Sequence, residues 1–225
     1  MSNRYQAEPY LRELQTTIKC VFEEDGKNCV LLTDNIFHPH GGGQKGDRGE
    51  LRADGQTFKI INTVKDKEVA DGALLFSETL LPDEMQGQPV TAVIDWDLRF
   101  KRMRLHTALH LHHCMMERVN GASVPHPKTA DVEDDFAFNR YETPVVSEEL
   151  VTKATTEFLN VIKQGAEINR FTDPDPDKKG FWWWECLGFR IPCGGTHVKN
   201  ANEIGNVNVE CYTKRGMPSV KITLI

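Results

Sequence analysis

Up to Ile94 the apolar positions fall in short runs punctuated by turn residues, and beyond Asp95 they recur at helical spacing. Thr17–Phe22 alternates weakly before the turn Asp25-Gly26, and Asn28–Thr33 is an apolar run that leads into a glycine-rich loop. The turn signals Asp54-Gly55 and Asp71-Gly72 stand around two more strand candidates, Thr57–Val64 and Ala73–Ser77. A loop over Gln86–Pro89 precedes the last candidate, Val90–Ile94. Strands this short at this spacing predict a small β-barrel over 1–94.

The second half, 95–225, changes character. Asp95 or Asp97 can cap a helix running to Gly121, a residue suited to the position just past a helix end. Leu105, Leu109, His112, Met116 and Val119 form its expected buried stripe. His106, His110 and His113 lie on a stripe beside it, at the expected edge of the core. Ser147, followed by Glu148 and Glu149, predicts the start of a second helix. That helix carries Leu150, Ala154, Phe158, Val161 and Ile162 on one face and stops at Gly165. A strand near Glu167–Phe171, a loop opened by Asp173 and a strand Phe181–Phe189 follow. The chain ends in a hairpin: Val207, Val209 and Cys211 alternate, Lys214–Pro218 turns, and Val220, Ile222 and Leu224 alternate back. Helices covering an antiparallel sheet make this half α+β, so the expected division is a barrel domain, 1–94, and an α+β domain, 95–225.

Composition narrows the class of protein. With 225 residues, 39% hydrophobic and 27% charged, the chain has the make-up of a soluble globular protein with a sizeable core. No apolar run has the length of a membrane span, and Met1–Glu8 lacks the apolar core of a signal peptide, so a cytoplasmic protein is expected. The six cysteines are scattered without a paired framework, as in a reducing compartment. A net charge of −6 gives no global attraction for nucleic acid. An RNA contact would therefore need a local patch, and Arg99, Lys101, Arg102 and Arg104 at the start of the long helix are the candidates, extended by Lys199, Lys214 and Arg215. The same run also reads as an ordinary solvated helix face.

The candidate chemistry lies in two short pieces. His106 and His110 are four apart in a helical stretch, so their imidazoles share a face about 5–6 Å apart at Cβ. Alone, such a pair is ambiguous. Downstream, Cys193 and His197 flank Gly194-Gly195, and two glycines let one tight turn present a sulfur and an imidazole to the same point. Two His from a helix with a Cys and a His from a turn make a sensible Zn²⁺ set, one ion per chain. Four protein ligands suit a closed structural site, and a loose fourth ligand would suit a catalytic one; both readings stand at this point. No Glu lies between the two helical histidines, so the metalloprotease arrangement is absent. His112 reads as a packed core histidine, and the other cysteines as small buried hydrophobes. Trp182–Trp184 reads as core filling, although tryptophans can also stack on a base.

These residues resemble a known family. His106–His110, Cys193–Val198 and the following Lys199–Gly205 are similar to the editing domain shared by alanyl- and threonyl-tRNA synthetases and by the freestanding AlaX editing proteins. Phe37–Gly49 resembles the glycine-rich loop in the N-terminal barrel of the larger AlaX members, and Asp95 with Arg99 ahead of the helix also fits. The resemblance implies zinc bound by His106, His110, Cys193 and His197. It further implies hydrolysis of the ester joining a wrong amino acid, chiefly serine and sometimes glycine, to tRNA specific for alanine. It places Gly41, Gly42, Gly43 and Gln44 near the misacylated end, while the residues by themselves also read as a tight barrel loop. A chain of this length has no room for an aminoacylation domain, so a freestanding deacylase is implied. The departures are His40 where the family more often has Glu, the proline-flanked His126 in Ser123–Asp131, and the aromatic run Phe181–Trp184. The rival readings are a zinc-stapled RNA-binding module without catalysis and a metal-dependent hydrolase of another small ester or amide.

Overall fold

The computed structural model describes residues 2–66, 72–178 and 180–225; Asp71, half of one expected turn, lies outside them. The chain divides into two compact units, Met1–Phe100 and Lys101–Ile225. Its architecture is α+β, with a closed barrel, antiparallel sheets and one long helix.

In the first unit the barrel strands are β1 (Glu13–Glu24), β2 (Lys27–Leu32), β3 (Gly49–Ala53), β4 (Gln56–Lys65), β5 (Ala73–Ser77) and β6 (Pro89–Ile94). They run in the order β1-β2-β5-β4-β3-β6, and β6 pairs back to β1. Ile18, Val30, Leu32, Leu51, Ile60, Leu75, Val90 and Ile94 fill the interior. The weak alternation of the first strand has a cause: the register slips between Ile18 and Cys20, so inward positions change parity from Thr16 and Ile18 to Val21. A second slip, between Ile60 and Asn62, does the same to β4. The Asp25-Gly26 and Asp54-Gly55 turns form as expected, with φ of 51° and 70° and of 47° and 75°, the left-handed pair that a two-residue hairpin needs. Strand β3 has no sequence signature, because Leu51 is its one fully buried side chain. Two glycines near it are obligatory for space. A Cβ on Gly46 would stand 1.9 Å from the Thr63 carbonyl oxygen, and one on Gly49 would stand 2.1 Å from that of Val93.

The long helix α1 (Trp96–Asn120) begins at Asp95, whose carboxylate accepts the Leu98 N–H, and stops before Gly121 at φ 67°. Its burial differs from the expected stripe. Arg102, Met103, Leu105–Leu109 and Leu111–Met116 are all buried, so the middle turns of the helix are enclosed on nearly every face. The stripe misreads it because the polar members of the enclosed faces have dedicated partners. His112, for example, meets Thr155 Oγ1 at 3.0 Å and the Phe158 ring at 5.4 Å, as a core histidine should.

The remaining elements of the second unit are β7 (Thr129–Val132), β8 (Phe136–Arg140), α2 (Glu148–Gln164), β9 (Asn169–Thr172), β10 (Trp182–Cys186), β11 (Phe189–Pro192), β12 (Val207–Lys214) and β13 (Met217–Leu224). They form a four-stranded sheet, β12-β13-β8-β7, and a three-stranded one, β9-β10-β11. Helix α2 follows its sequence closely: Ser147 caps the Leu150 N–H, and Leu150, Ala154, Phe158, Val161 and Ile162 are buried. The expected strand Phe181–Phe189 is two strands, folded at Leu187-Gly188 with φ of 52° and 83°. That turn aims the end of β11 at the long helix's histidines and so delivers Cys193. Among the described residues no helix is long and apolar enough to cross a membrane.

Candidate metal centre

Helix geometry brings His106 and His110 together, with ring centroids 4.8 Å apart. Cys193 follows β11 directly, its N–H bonded to the Trp182 carbonyl at 2.9 Å. Its Sγ accepts the Gly195 N–H at 3.4 Å, which curls the turn so that His197 swings back to the same point. Sγ then lies 3.3 Å from His197 Nε2 and 3.6 Å from His106 Nε2. One ligand atom from each of His106, His110, Cys193 and His197 fits within 4.8 Å of all the others. Metal–ligand bonds of about 2.0–2.3 Å in a tetrahedron separate neighbouring ligands by roughly 3.3–3.8 Å, so the two sulfur–nitrogen spacings fit such an ion. The donor chemistry fits as well: three imidazoles and a thiol form a nitrogen–sulfur set typical of zinc.

Electrostatics favours a neutral imidazole at His110. Burial holds His110 well below the usual imidazole range, helped by His106, His113, His126 and Arg170. Burial pushes the Cys193 thiol up, opposed by the Gly195 N–H and by the positive charge of Arg170. A divalent cation held by the four would supply the charge that favours the thiolate.

Two supporting residues escape the sequence reading. Thr107 is completely buried, and its Oγ1 accepts the Val198 N–H at 3.2 Å and lies 3.2 Å from His197 Nδ1. With His197 Nε2 turned to the cluster, a proton on Nδ1 would donate to Thr107 and hold the ring in the tautomer a metal ligand needs. Trp184 is also completely buried, edge-on to His110 at 5.1 Å and 6.2 Å from His197. It fills core, as the sequence suggests, and at the same time walls the His106–His110–Cys193–His197 cluster. The spacing of Thr107 between the two helical histidines was a visible signal; the role of Trp184 depends on the β9–β10 pairing and was not.

One turn beyond His110, a buried relay holds His113. The Asn139 amide donates to the Leu109 carbonyl and to Tyr141 Oη, leaving the Tyr141 hydroxyl proton for His113 Nδ1 at 3.1 Å. Burial lowers His113 to about 4.

The other expected site residues are dispersed. Arg99 and Arg102 are fully buried rather than solvent-facing. Arg99 pairs with Asp47 and donates to the Pro9 and Ile36 carbonyls at 3.0 and 2.8 Å. Arg102 pairs with Asp134 at 2.6 Å. Arg104 is half-buried and bonds the Ile204 carbonyl at 2.8 Å, while Lys101 is exposed. Lys199, Lys214 and Arg215 are exposed. In the glycine loop, Gly41 and Gln44 exchange both backbone hydrogen bonds, 3.0 and 3.1 Å, around Gly42 and Gly43 at φ 60° and 78°. Gln44 is fully buried and supports this turn from within.

No family model matches the chain. Individual proteins do. Alanyl-tRNA editing protein AlaX-M of Pyrococcus horikoshii is 29% identical over 214 residues, covering 90% of this chain and 87% of that protein. AlaX-M of Methanosarcina mazei is 28% identical over 233 residues, covering 94% and 91%. AlaX-L of Pyrococcus horikoshii is 27% identical over 239 residues and covers 94% of this chain but 54% of that longer protein. Over at least nine-tenths of its length the chain is similar to AlaX-type alanyl-tRNA editing proteins.

Proposed function

We propose that the protein is an aminoacyl-tRNA deacylase that hydrolyses the ester of mischarged tRNA-Ala, with Ser-tRNA-Ala as the main substrate and Gly-tRNA-Ala as a second one. The observation that carries this reading is the convergence of His106, His110, Cys193 and His197 on one point, in a chain similar over nine-tenths of its length to alanyl-tRNA editing proteins. We assign those four residues to a single Zn²⁺. Zinc there supplies Lewis acidity to a water or to the ester carbonyl, or a fixed anchor for the substrate.

An aminoacyl ester is already activated, so the protein's share is placement and oxyanion stabilisation. Thr107 keeps His197 in one tautomer, and Trp184 packs edge-on against His110. In the glycine loop the amides of Gly42 and Gly43 are the two that the turn itself does not use, and successive amides of this kind can form an anion-binding nest. We assign them to the acceptor end, with Gly41 and Gln44 closing the turn behind them. With Arg99 and Arg102 engaged in buried pairs, we assign phosphate contacts to the exposed Lys101, Lys199, Lys214 and Arg215, with Arg104 beside them.

The test uses the full chain with His106→Ala and Cys193→Ala, measuring zinc content and deacylation of Ser-, Gly- and Ala-charged tRNA-Ala, with mischarged Thr-tRNA as control. The expected result is loss of metal together with loss of Ser-tRNA-Ala hydrolysis. Full hydrolysis by a metal-free variant would overturn the role of zinc, and no hydrolysis by the metal-loaded parent would overturn the deacylase reading.

A further inference from the structure

The aromatic run Phe181–Trp184 does more than fill a core. Side chains alternate along β10, so Trp182 and Trp184 share one face, and Trp183 takes the other. The β9–β10 register pairs Arg170 with Trp184 and Thr172 with Trp182, which puts Arg170 on that same face. Trp184 is buried against His110, 5.1 Å from its ring. Two residues along, about 7 Å further out, Trp182 is half-buried, with the Arg170 guanidinium carbon 5.0 Å from its ring centroid. The opposite face is internally satisfied: the Trp183 indole N–H donates to Asp173 at 2.8 Å, and Phe181 packs edge-on to Trp183 at 5.2 Å.

We propose that Trp182 and Arg170 form a stacking ledge for the terminal base of the RNA whose ester occupies the metal centre. This rests on the deacylase reading above. The occupant follows from chemistry and spacing. An aromatic plane backed by a guanidinium suits a nucleobase, whose π-face stacks on either and whose adjoining phosphate is drawn to the cation. The step from Trp184 to Trp182 is comparable to the span from an esterified ribose hydroxyl to the base of the same nucleoside. A base on the ledge therefore leaves the ester beside His110.

The experiment is a cycle between side chain and base. Single-stranded RNA oligonucleotides ending either in adenosine or in an abasic ribose are titrated into the metal-loaded full chain, and affinity is read by fluorescence anisotropy. The same pair of termini is compared in deacylation of seryl esters. Wild type is expected to lose about tenfold to a hundredfold in affinity, and to gain as much in KM, when the terminal base is removed. Trp182→Leu should lose a similar factor with the intact end and nothing more with the abasic end, at unchanged zinc content. Trp182→Phe should keep most of the discrimination. An equal base-removal penalty in wild type and Trp182→Leu overturns the ledge. A base-dependent affinity without deacylation leaves the ledge standing and sinks the deacylase reading. Deacylation that ignores the terminal base does the reverse.

Discussion

Thr107→Val isolates the support beneath the metal centre, because valine keeps the shape of threonine and removes only the hydroxyl. That oxygen serves two buried donors, the Val198 N–H and the His197 Nδ1–H, each at 3.2 Å. Thr107 is 0% exposed and His197 1%, so water cannot replace the lost acceptor. Leaving a buried donor without its acceptor costs about 1–3 kcal/mol. A supporting partner of a metal-bound imidazole is worth roughly tenfold to a hundredfold in metal affinity. The expected outcome is therefore a zinc dissociation constant raised by about one to two decades, with a melting temperature lowered in both metal-free and metal-loaded protein. Zinc affinity is read by competition with a chromophoric chelator, and Thr107→Ser serves as the control that keeps the oxygen. Zinc affinity within about threefold of wild type in Thr107→Val, or the same loss in Thr107→Ser, would refute the reasoning.

Four further outcomes follow from the same structure. Arg99→Met should destabilise the protein by about 3–5 kcal/mol in chemical denaturation, because it strands a buried Asp47 and two carbonyls; adding Asp47→Leu should cost clearly less than a second loss of that size. His113, lowered to about 4 by burial, binds its proton more readily in the unfolded chain, so its contribution is complete above about pH 6.5 and is lost as the pH falls toward 4. His113→Gln should flatten that part of the stability–pH curve, on the order of 3 kcal/mol across the window, and an unchanged curve would show that the ring is not held neutral. Gly46→Ala should unfold the barrel or cost more than about 2 kcal/mol, since its Cβ collides with backbone. Gly42→Ala meets nothing and should cost only about 1–2 kcal/mol of left-handed strain, leaving its effect on deacylation as a clean reading of the loop.

What could be read directly from the chain is whatever is encoded over short separations. Helix α2 shows its cap, its acidic first turn, its apolar face and its stop within one stretch, and every part forms as written. The candidate metal cluster was legible for the same reason: each half spans five residues, and only the meeting of the halves is long-range. Strands β7 and β8 were not, because Asp131 and Glu133–Asp135 mask a pair whose buried residues are few. The two bulges in β1 and β4 hid the barrel's alternation in another way, by changing parity in mid-strand.

The arginines mark where local reading fails for a physical reason. Arg99, Lys101, Arg102 and Arg104 look alike in sequence, a basic run on a helix, and a basic run is ordinarily solvated. Whether a guanidinium stays in water depends on how many acceptors the fold can bring to it, and for Arg99 those acceptors stand 52, 63 and 90 residues away. A buried arginine needs such a set, since an isolated buried charge is untenable. Arg99 and Arg102 have carboxylates waiting, Arg104 has one carbonyl and stays half in solvent, and Lys101 has no such acceptor among the described residues and remains outside. The same logic applies at the metal centre, where Thr107 and Trp184 gain their roles from residues far along the chain. A run of like charges therefore limits where RNA can dock only after its acceptors have been found, and here they take Arg99 and Arg102 out of the run and leave Lys101 exposed.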